Sequence, residues 1–185
     1  MTRFFLSGLF ILLLNGSILF GQESVEFPQK LDQKGFRGII AKSGNLYISG
    51  QPDDSSFSWL KQQGVRTIIN LRTDQEMNNR DYVPFDEKAL LENLGLSYIH
   101  IPLGGENNPY TPQALNTFAE SINKAEGKVL LHCTVAWRAS HMWAAYLVKY
   151  KGFSTEKAIE YAKAINFGEL PIEGLLGNKV KIILE

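Results

Sequence analysis

Cysteine is almost missing from this sequence: Cys133 is the only one among 185 residues, and there are three histidines. A single cysteine excludes an internal disulfide. His100, His132 and His141, taken with Cys133, are too few and too unevenly spaced for a zinc pattern. Neither a metal nor a cofactor is therefore expected. An excess of one charge is also lacking, since 19 Lys and Arg stand against 19 Asp and Glu. A nucleic-acid binder needs a basic footprint, so no nucleic-acid partner is expected. There is no internal repeat and no low-complexity tract. After the first 21 residues no apolar run is long enough to span a bilayer.

The first 21 residues are of a different kind. Arg3 gives a positive start, Phe4 to Phe20 is largely apolar, and Gly21 is a small residue before the polar Gln22-Glu23-Ser24. That layout is read as a secretory signal peptide, with an uncleaved membrane anchor as the alternative. The expectation is an exported protein, periplasmic or extracellular, with no membrane span once the signal is removed. Removing residues 1–21 takes away Arg3 and no acid, leaving 18 basic against 19 acidic residues. Residues 22–37 read as an N-terminal lead, and 38–185 as one domain with a sizeable core. Nothing in the sequence sets an oligomeric state.

Strands and helices alternate along that domain. Leu46 to Ser49, Val65 to Leu71, Leu96 to Ile101 and Val129 to Leu131 read as strands, the second rich in β-branched residues. Asp53, Asp54 or Ser55 caps a helix that Gly64 ends, and a further helix spans about Phe85 to Asn93. Thr111 caps a helix with Pro112 at its first position, and Leu115, Phe118, Ala119 and Ile122 form its inward stripe. Helices follow over Arg138 to Lys149 and from Ser154 or Thr155 to about Ile165, with a short strand at Val180 to Leu184. Polar residues 72–81 read as a loop. The fold class is α/β, with a parallel-dominated central sheet flanked by helices. Ligands bind such sheets at the carboxyl ends of strands, and Cys133 sits at one.

A lone cysteine is read as core filler, as one half of an intermolecular pair, or as a reactive group. Its neighbours here are His132-Cys133-Thr134-Val135-Ala136-Trp137-Arg138, a loop between a strand and a helix. The amides of a first helical turn lack partners within the helix, and the helix dipole adds partial positive charge. A thiolate at Cys133 would be favoured in that field. Arg138 brings a forked set of donors suited to tetrahedral oxyanions. Nucleophile and anion clamp share one turn, which fits attack by Cys133 on phosphorus or on a sulfur donor. The competing structural reading is a buried cysteine with Arg138 as a surface charge.

Ser49-Gly50-Gln51-Pro52, Gly64 to Arg72, Tyr98-Ile99-His100-Ile101-Pro102, and His132-Cys133 with Arg138 together resemble the beta-lactamase-hydrolase-like phosphatases. These are a branch of the cysteine-dependent dual-specificity and tyrosine phosphatase superfamily, and the resemblance covers about residues 38–166. It implies a cysteine-phosphatase-like fold and a two-step hydrolysis of a phosphomonoester, on a protein or a small molecule, through a phosphocysteine. Cys133 would be the nucleophile. Arg138 and the turn of Thr134, Val135, Ala136, Trp137, Ala139 and Ser140 would hold the phosphoryl oxygens. His132 would order the loop.

Glu106, the one carboxylate in the loop 103–108, would be the general acid, with Asp74 and Glu76 as rivals. Arg72 would line the pocket or pair with Glu76. Ser140 would donate to the thiolate or act only as a first-turn serine. Trp137 would stack on a substrate or, the favoured reading, pack beneath the loop. Trp137, bulky for a phosphate loop, is one of three departures from the family, and of the other two the short loop is usual in this branch. Four residues separate Cys133 from Arg138 where most tyrosine phosphatases have five, a spacing shared with rhodanese-type sulfurtransferases. Ala136 stands where the family usually has Gly, which means strain if φ there is positive. A sulfurtransferase working through a Cys133 persulfide and an inactive anion-binding module are the alternative functions.

Overall fold

The computed structural model describes residues 25–168 and 171–180. The segment read as a signal peptide lies outside the described residues, as do residues 181–184 of the expected C-terminal strand. The sheet has six strands in the order β1-β2-β3-β6-β4-β5. These are β1 (Gln29–Lys30), β2 (Ile40–Ser43), β3 (Leu46–Ser49), β4 (Val65–Asn70), β5 (Ser97–His100) and β6 (Lys128–His132). The pairs β3–β6, β6–β4 and β4–β5 are parallel, while β1–β2 and β2–β3 are antiparallel. The sheet is thus mixed, mostly parallel and flanked by helices, as expected. Residues 29–30, within the stretch read as a lead, form its edge strand.

Helices α1 (Asp54–Gln62), α2 (Asp74–Asn78), α3 (Glu87–Asn93), α4 (Pro112–Lys124), α5 (Trp137–Lys151), α6 (Thr155–Lys163) and α7 (Ile172–Leu176) complete the chain. A larger core, including Phe118, Leu131, Met142, Leu147 and Ile172, fills the face covered by α4 to α7. A smaller one, with Phe57, Leu60, Ile68 and Leu91, lies under α1 and α3. Among the described residues no helix is long and apolar enough to cross a membrane.

Two elements depart from the sequence reading. Residues 72–81 are not all loop, because Thr73 and Glu76 form a reciprocal capping box that starts α2. That motif needs only two residues, and a search for apolar periodicity misses it. The short α7 falls in a stretch without clear periodicity.

The central strand β6 lies between β3 and β4, and its last residue is His132. The chain crosses over it through α1 to reach β4, and returns to it through α4. Cys133 therefore leaves the sheet at its topological switch point, where neighbouring connections diverge and leave a crevice.

Candidate active site

The first turn of α5 differs from that of α1, α2, α3, α4 and α6. Asp53, Thr73, Asp86, Thr111 and Ser154 each cap their helix through a side-chain hydrogen bond. Ala136, before α5, supplies none. Its backbone sits at φ 66°, ψ 0°, and it is the one non-glycine residue with positive φ among those described. A left-handed alanine costs about 1–2 kcal/mol. The strain expected from the missing glycine is therefore present, and it turns the chain tightly enough for α5 to begin right after the loop.

The loop is clamped on both sides. On one side Gln51 N donates to Thr134 O at 3.1 Å, Gly50 bridges Val135, and Cys133 N donates to Ser49 O at 3.3 Å. Gly50 is obligatory there, since a Cβ would lie 1.7 Å from Arg37 O. On the other side Asn166 Nδ2 donates to Val135 O at 2.6 Å. Ser140 Oγ is within hydrogen-bond range of Asn166 O (2.5 Å) and Trp137 O (2.8 Å). This corrects one expectation: the Ser140 hydroxyl is bonded to carbonyls and braces the loop, rather than turning its proton toward the thiolate.

Trp137 packs edge-on to His141, with Gly168 against its indole nitrogen, which fits the packing reading. Ala139 is buried in the main core. Thr134 is half-buried and Val135 is at the surface. Cys133 is a free thiol, 1 % exposed as a residue.

Arg138 is held from behind. Its Nη1 donates to Glu76 Oε2 (2.7 Å), Leu103 O (2.6 Å) and Leu71 O (3.2 Å), and its Nη2 to Glu76 Oε1 and Thr134 Oγ1, both at 2.7 Å. Both terminal nitrogens are thereby committed. The Nε–H has no acceptor among the described residues and stays available to an anion. Glu76 also accepts from Thr134 Oγ1 at 2.6 Å and from Thr73 N at 2.9 Å, with Arg72 Nε 3.5 Å away. Burial alone would raise the Glu76 carboxyl, but the Arg138 fork, Thr134 and the Thr73 amide bring it down to about 2. The Arg72 pairing expected from sequence is present. Glu76, read as a rival acid or as the partner of Arg72, also anchors the clamp.

The remaining site residues are further out. Glu106 is exposed on the turn 104–108. Gly104 of the same turn lies over Arg138, a Cβ there being 3.6 Å from Nη1. Asp74 is exposed and stands 3.6 Å from His100 Nδ1. His100 Nε2 lies 2.6 Å from Arg72 O.

Beneath the loop is a buried polar layer. Glu87 Oε1 accepts from Asn70 Nδ2 (3.0 Å) and meets His132 Nε2 (3.1 Å), while Oε2 accepts from Gln51 Nε2 (2.7 Å). Sequence reasoning missed Glu87, which reads as an ordinary first-turn helix acid. It also missed Tyr110, whose phenol is pushed up by burial against the opposing charge of Arg138. Asn70 and Gln51 stood inside the family motifs, but nothing in the sequence gave their partners. A cleft of about 280 Å³ lined by Arg37, Arg72, Glu76, Tyr82 and Thr134 borders the loop. A larger groove of about 470 Å³ lies at the amino ends of β3 and β6, away from Cys133.

A mostly parallel sheet carrying the Cys133 loop at its switch point, with Arg138 five residues after the cysteine, defines the class of cysteine-phosphatase-like proteins. Within that class the chain belongs to the family described as "DSP-PTPase phosphatase fused to NAD+ Kinase", which matches residues 22–175. It is 35% identical over 106 residues to a beta-lactamase hydrolase-like protein of Xylella fastidiosa (strain Temecula1), a match covering 57% of this chain and 24% of that protein. The chain thus spans about a quarter of that relative's length. A solved DUF442 protein of Shewanella putrefaciens CN-32 superposes with TM-score 0.61 and 30% identity, covering 77% of this chain and 91% of that one. A TpbA variant of P. aeruginosa in complex with pTyr superposes with TM-score 0.56 over 74% of this chain and 77% of its own. At 18% identity it is a likeness of fold.

Proposed function

We propose that this protein hydrolyses phosphomonoesters through a phosphocysteine on Cys133. The observation that carries this reading is the commitment of Arg138: Glu76 and two carbonyls hold its terminal nitrogens, and they fix the guanidinium of a residue in the uncapped first turn of α5. A phosphoryl group seated there meets an oriented cation and open amides. The Cys133 thiolate attacks phosphorus, the bond to the ester oxygen breaks, and that oxygen leaves with a proton from a general acid. Water then attacks the same phosphorus, the P–S bond breaks, and inorganic phosphate departs as the thiolate is restored.

Glu76 is too firmly ionised to supply that proton near neutral pH. The role falls to Glu106, on the turn whose Gly104 lies over Arg138. The substrate class is a phosphorylated protein side chain or small molecule, in keeping with the pTyr held by the TpbA relative. The N-terminal segment adds an expected exported location. Mass determination of protein recovered from outside the cytoplasm tests it, intact Met1–Gly21 counting against a cleaved signal.

Phosphate release from p-nitrophenyl phosphate is the direct assay. Cys133→Ser should lose about a thousandfold or more. Glu106→Gln should lose about a hundredfold on an alkyl phosphate, whose leaving group needs the proton, and far less on p-nitrophenyl phosphate. Thiocyanate formation from thiosulfate and cyanide, with no phosphate released, would overturn the reading.

A further inference from the structure

The buried layer beneath the loop has a direction. Glu87 is 3 % exposed and presents two carboxylate oxygens to three nitrogens: Gln51 Nε2, Asn70 Nδ2 and His132 Nε2. Both amides turn their nitrogen toward Glu87 and their oxygen toward Arg72. Gln51 Oε1 accepts from Arg72 Nη1 at 2.8 Å, and Asn70 Oδ1 accepts from Arg72 N at 2.8 Å. The other acceptors agree with that orientation, since Gln51 Nε2 also donates to Pro52 O and Asn70 Nδ2 to Tyr98 Oη. The Gln51 amide therefore links a buried anion to the Arg72 guanidinium, while the Asn70 amide links the same anion to the Arg72 main chain.

An ionised carboxylate is acceptor-only, so the imidazole nitrogen facing it must carry hydrogen. The groups facing Glu87 come from three strands: His132 from β6, Asn70 from β4 and Tyr98 from β5, with Gln51 and Arg72 from the loops that follow β3 and β4. The facing His132 ring and the Gln51 and Asn70 amides outweigh burial and hold the Glu87 carboxyl below the usual carboxylate range.

We propose that Glu87 is a positioning residue for the nucleophile loop, fixing the proton of His132 on Nε2 and orienting Gln51 and Asn70 so that they hold Arg72 in register with Glu76 and Arg138. This rests on the phosphatase reading for its kinetic consequence, but not for its structural one. The arm toward His132 ends one residue before Cys133. The arm toward Arg72 ends at Nε, 3.5 Å from the Glu76 oxygen that Arg138 and Thr134 also share. One carboxylate thereby sets the hydrogen positions behind both the nucleophile and the anion clamp. A glutamine of the same shape would turn an N–H₂ either against Gln51 Nε2 or against the His132 and Asn70 donors, and a Gln51 flipped to meet it would put its own N–H₂ against Arg72 Nη1.

The test begins with the wild-type protein, by ¹⁵N-resolved imidazole spectra near neutral pH. His132 should carry hydrogen on Nε2; a ring protonated only on Nδ1 overturns the proposal without any variant. Glu87→Gln should then move the His132 signals and lower kcat by about tenfold to a hundredfold, with KM changed far less. The same substitution made in a His132→Asn background should cost much less, because the partner is already gone. Equal losses in both backgrounds, or a folded Glu87→Gln protein with unmoved imidazole signals, would mean that Glu87 only fills space. If the wild type releases no phosphate yet its imidazole signals respond to Glu87→Gln, the positioning role stands and the phosphatase reading fails.

Discussion

Glu76 shows how one residue's surroundings reverse its sequence reading. As a loop carboxylate after Arg72 it resembles a proton donor. Folded, it accepts from Arg138, Thr134 and Thr73, and its carboxyl is brought from 4.5 down to about 2. A depressed carboxyl stabilises the fold fully above its unfolded value and loses that contribution as pH falls through the folded one. Acid should therefore weaken the protein between pH 4.5 and about 2. A shift of this size corresponds to at most about 3 kcal/mol, and partial exposure of the carboxylate reduces it to about 2. Glu76→Gln should flatten thermal stability over that window and, by loosening Arg138, cut kcat/KM for an aryl phosphate by about tenfold or more. An unchanged acid limb in the melting profile would contradict the pairing.

Ala136 is the second residue-scale case. Its positive φ was foreseeable only as a condition, because φ is a property of the folded turn. Replacing it with glycine relieves about 1–2 kcal/mol of left-handed strain against a smaller rise in unfolded-state entropy. Ala136→Gly should raise stability by about 0.5–1 kcal/mol, read as a higher Tm in calorimetry.

At the scale of the element, α5 was legible in outline and α2 was not. Helix α5 announces itself by length and by the glycine that ends it, and the structure extends it to Trp137–Lys151. What sequence could not give is that α5 is buried on nearly every side from Arg138 to Leu147. His141 lies inside it, edge-on to Trp137 and stacked on Phe167 at 4.1 Å. Burial keeps that ring neutral and moves its pKa from 6.5 down to about 3. Since the unfolded ring binds a proton that the folded ring refuses, stability is complete above pH 6.5 and falls as pH drops toward 3. The slope is about 1.4 kcal/mol per pH unit at its steepest. His141→Phe should remove that slope, and equal acid sensitivity of the two proteins in a pH series of melts would refute the assignment.

For the whole molecule, the decisive fact is where the chain crosses itself. Strands β3, β4 and β6 bring Gly50-Gln51, Leu71-Arg72 and Cys133 to the same edge, while α2, the turn 104–108 and residues 166–168 close around them. A tetrahedral oxyanion that binds only this folded arrangement should stabilise it by mass action. Tungstate at about a hundred times its Kd should add about 2.7 kcal/mol, seen as a rise in Tm that Arg138→Ala abolishes. An equal rise in the variant would place the anion elsewhere.

The sequence by itself determined the α/β alternation, the helix cap at Thr111, and the closeness of Cys133 and Arg138 along the chain. Each is local, set by spacing, propensity or a contiguous motif. Only the tertiary structure decided that Glu76 anchors Arg138, that Ser140 braces the loop, and that Glu87 lies beneath His132. Those partners are 62, 26 and 45 residues apart in the chain. A carboxylate's role depends on which donors surround it, and only the folded sheet brings those donors together.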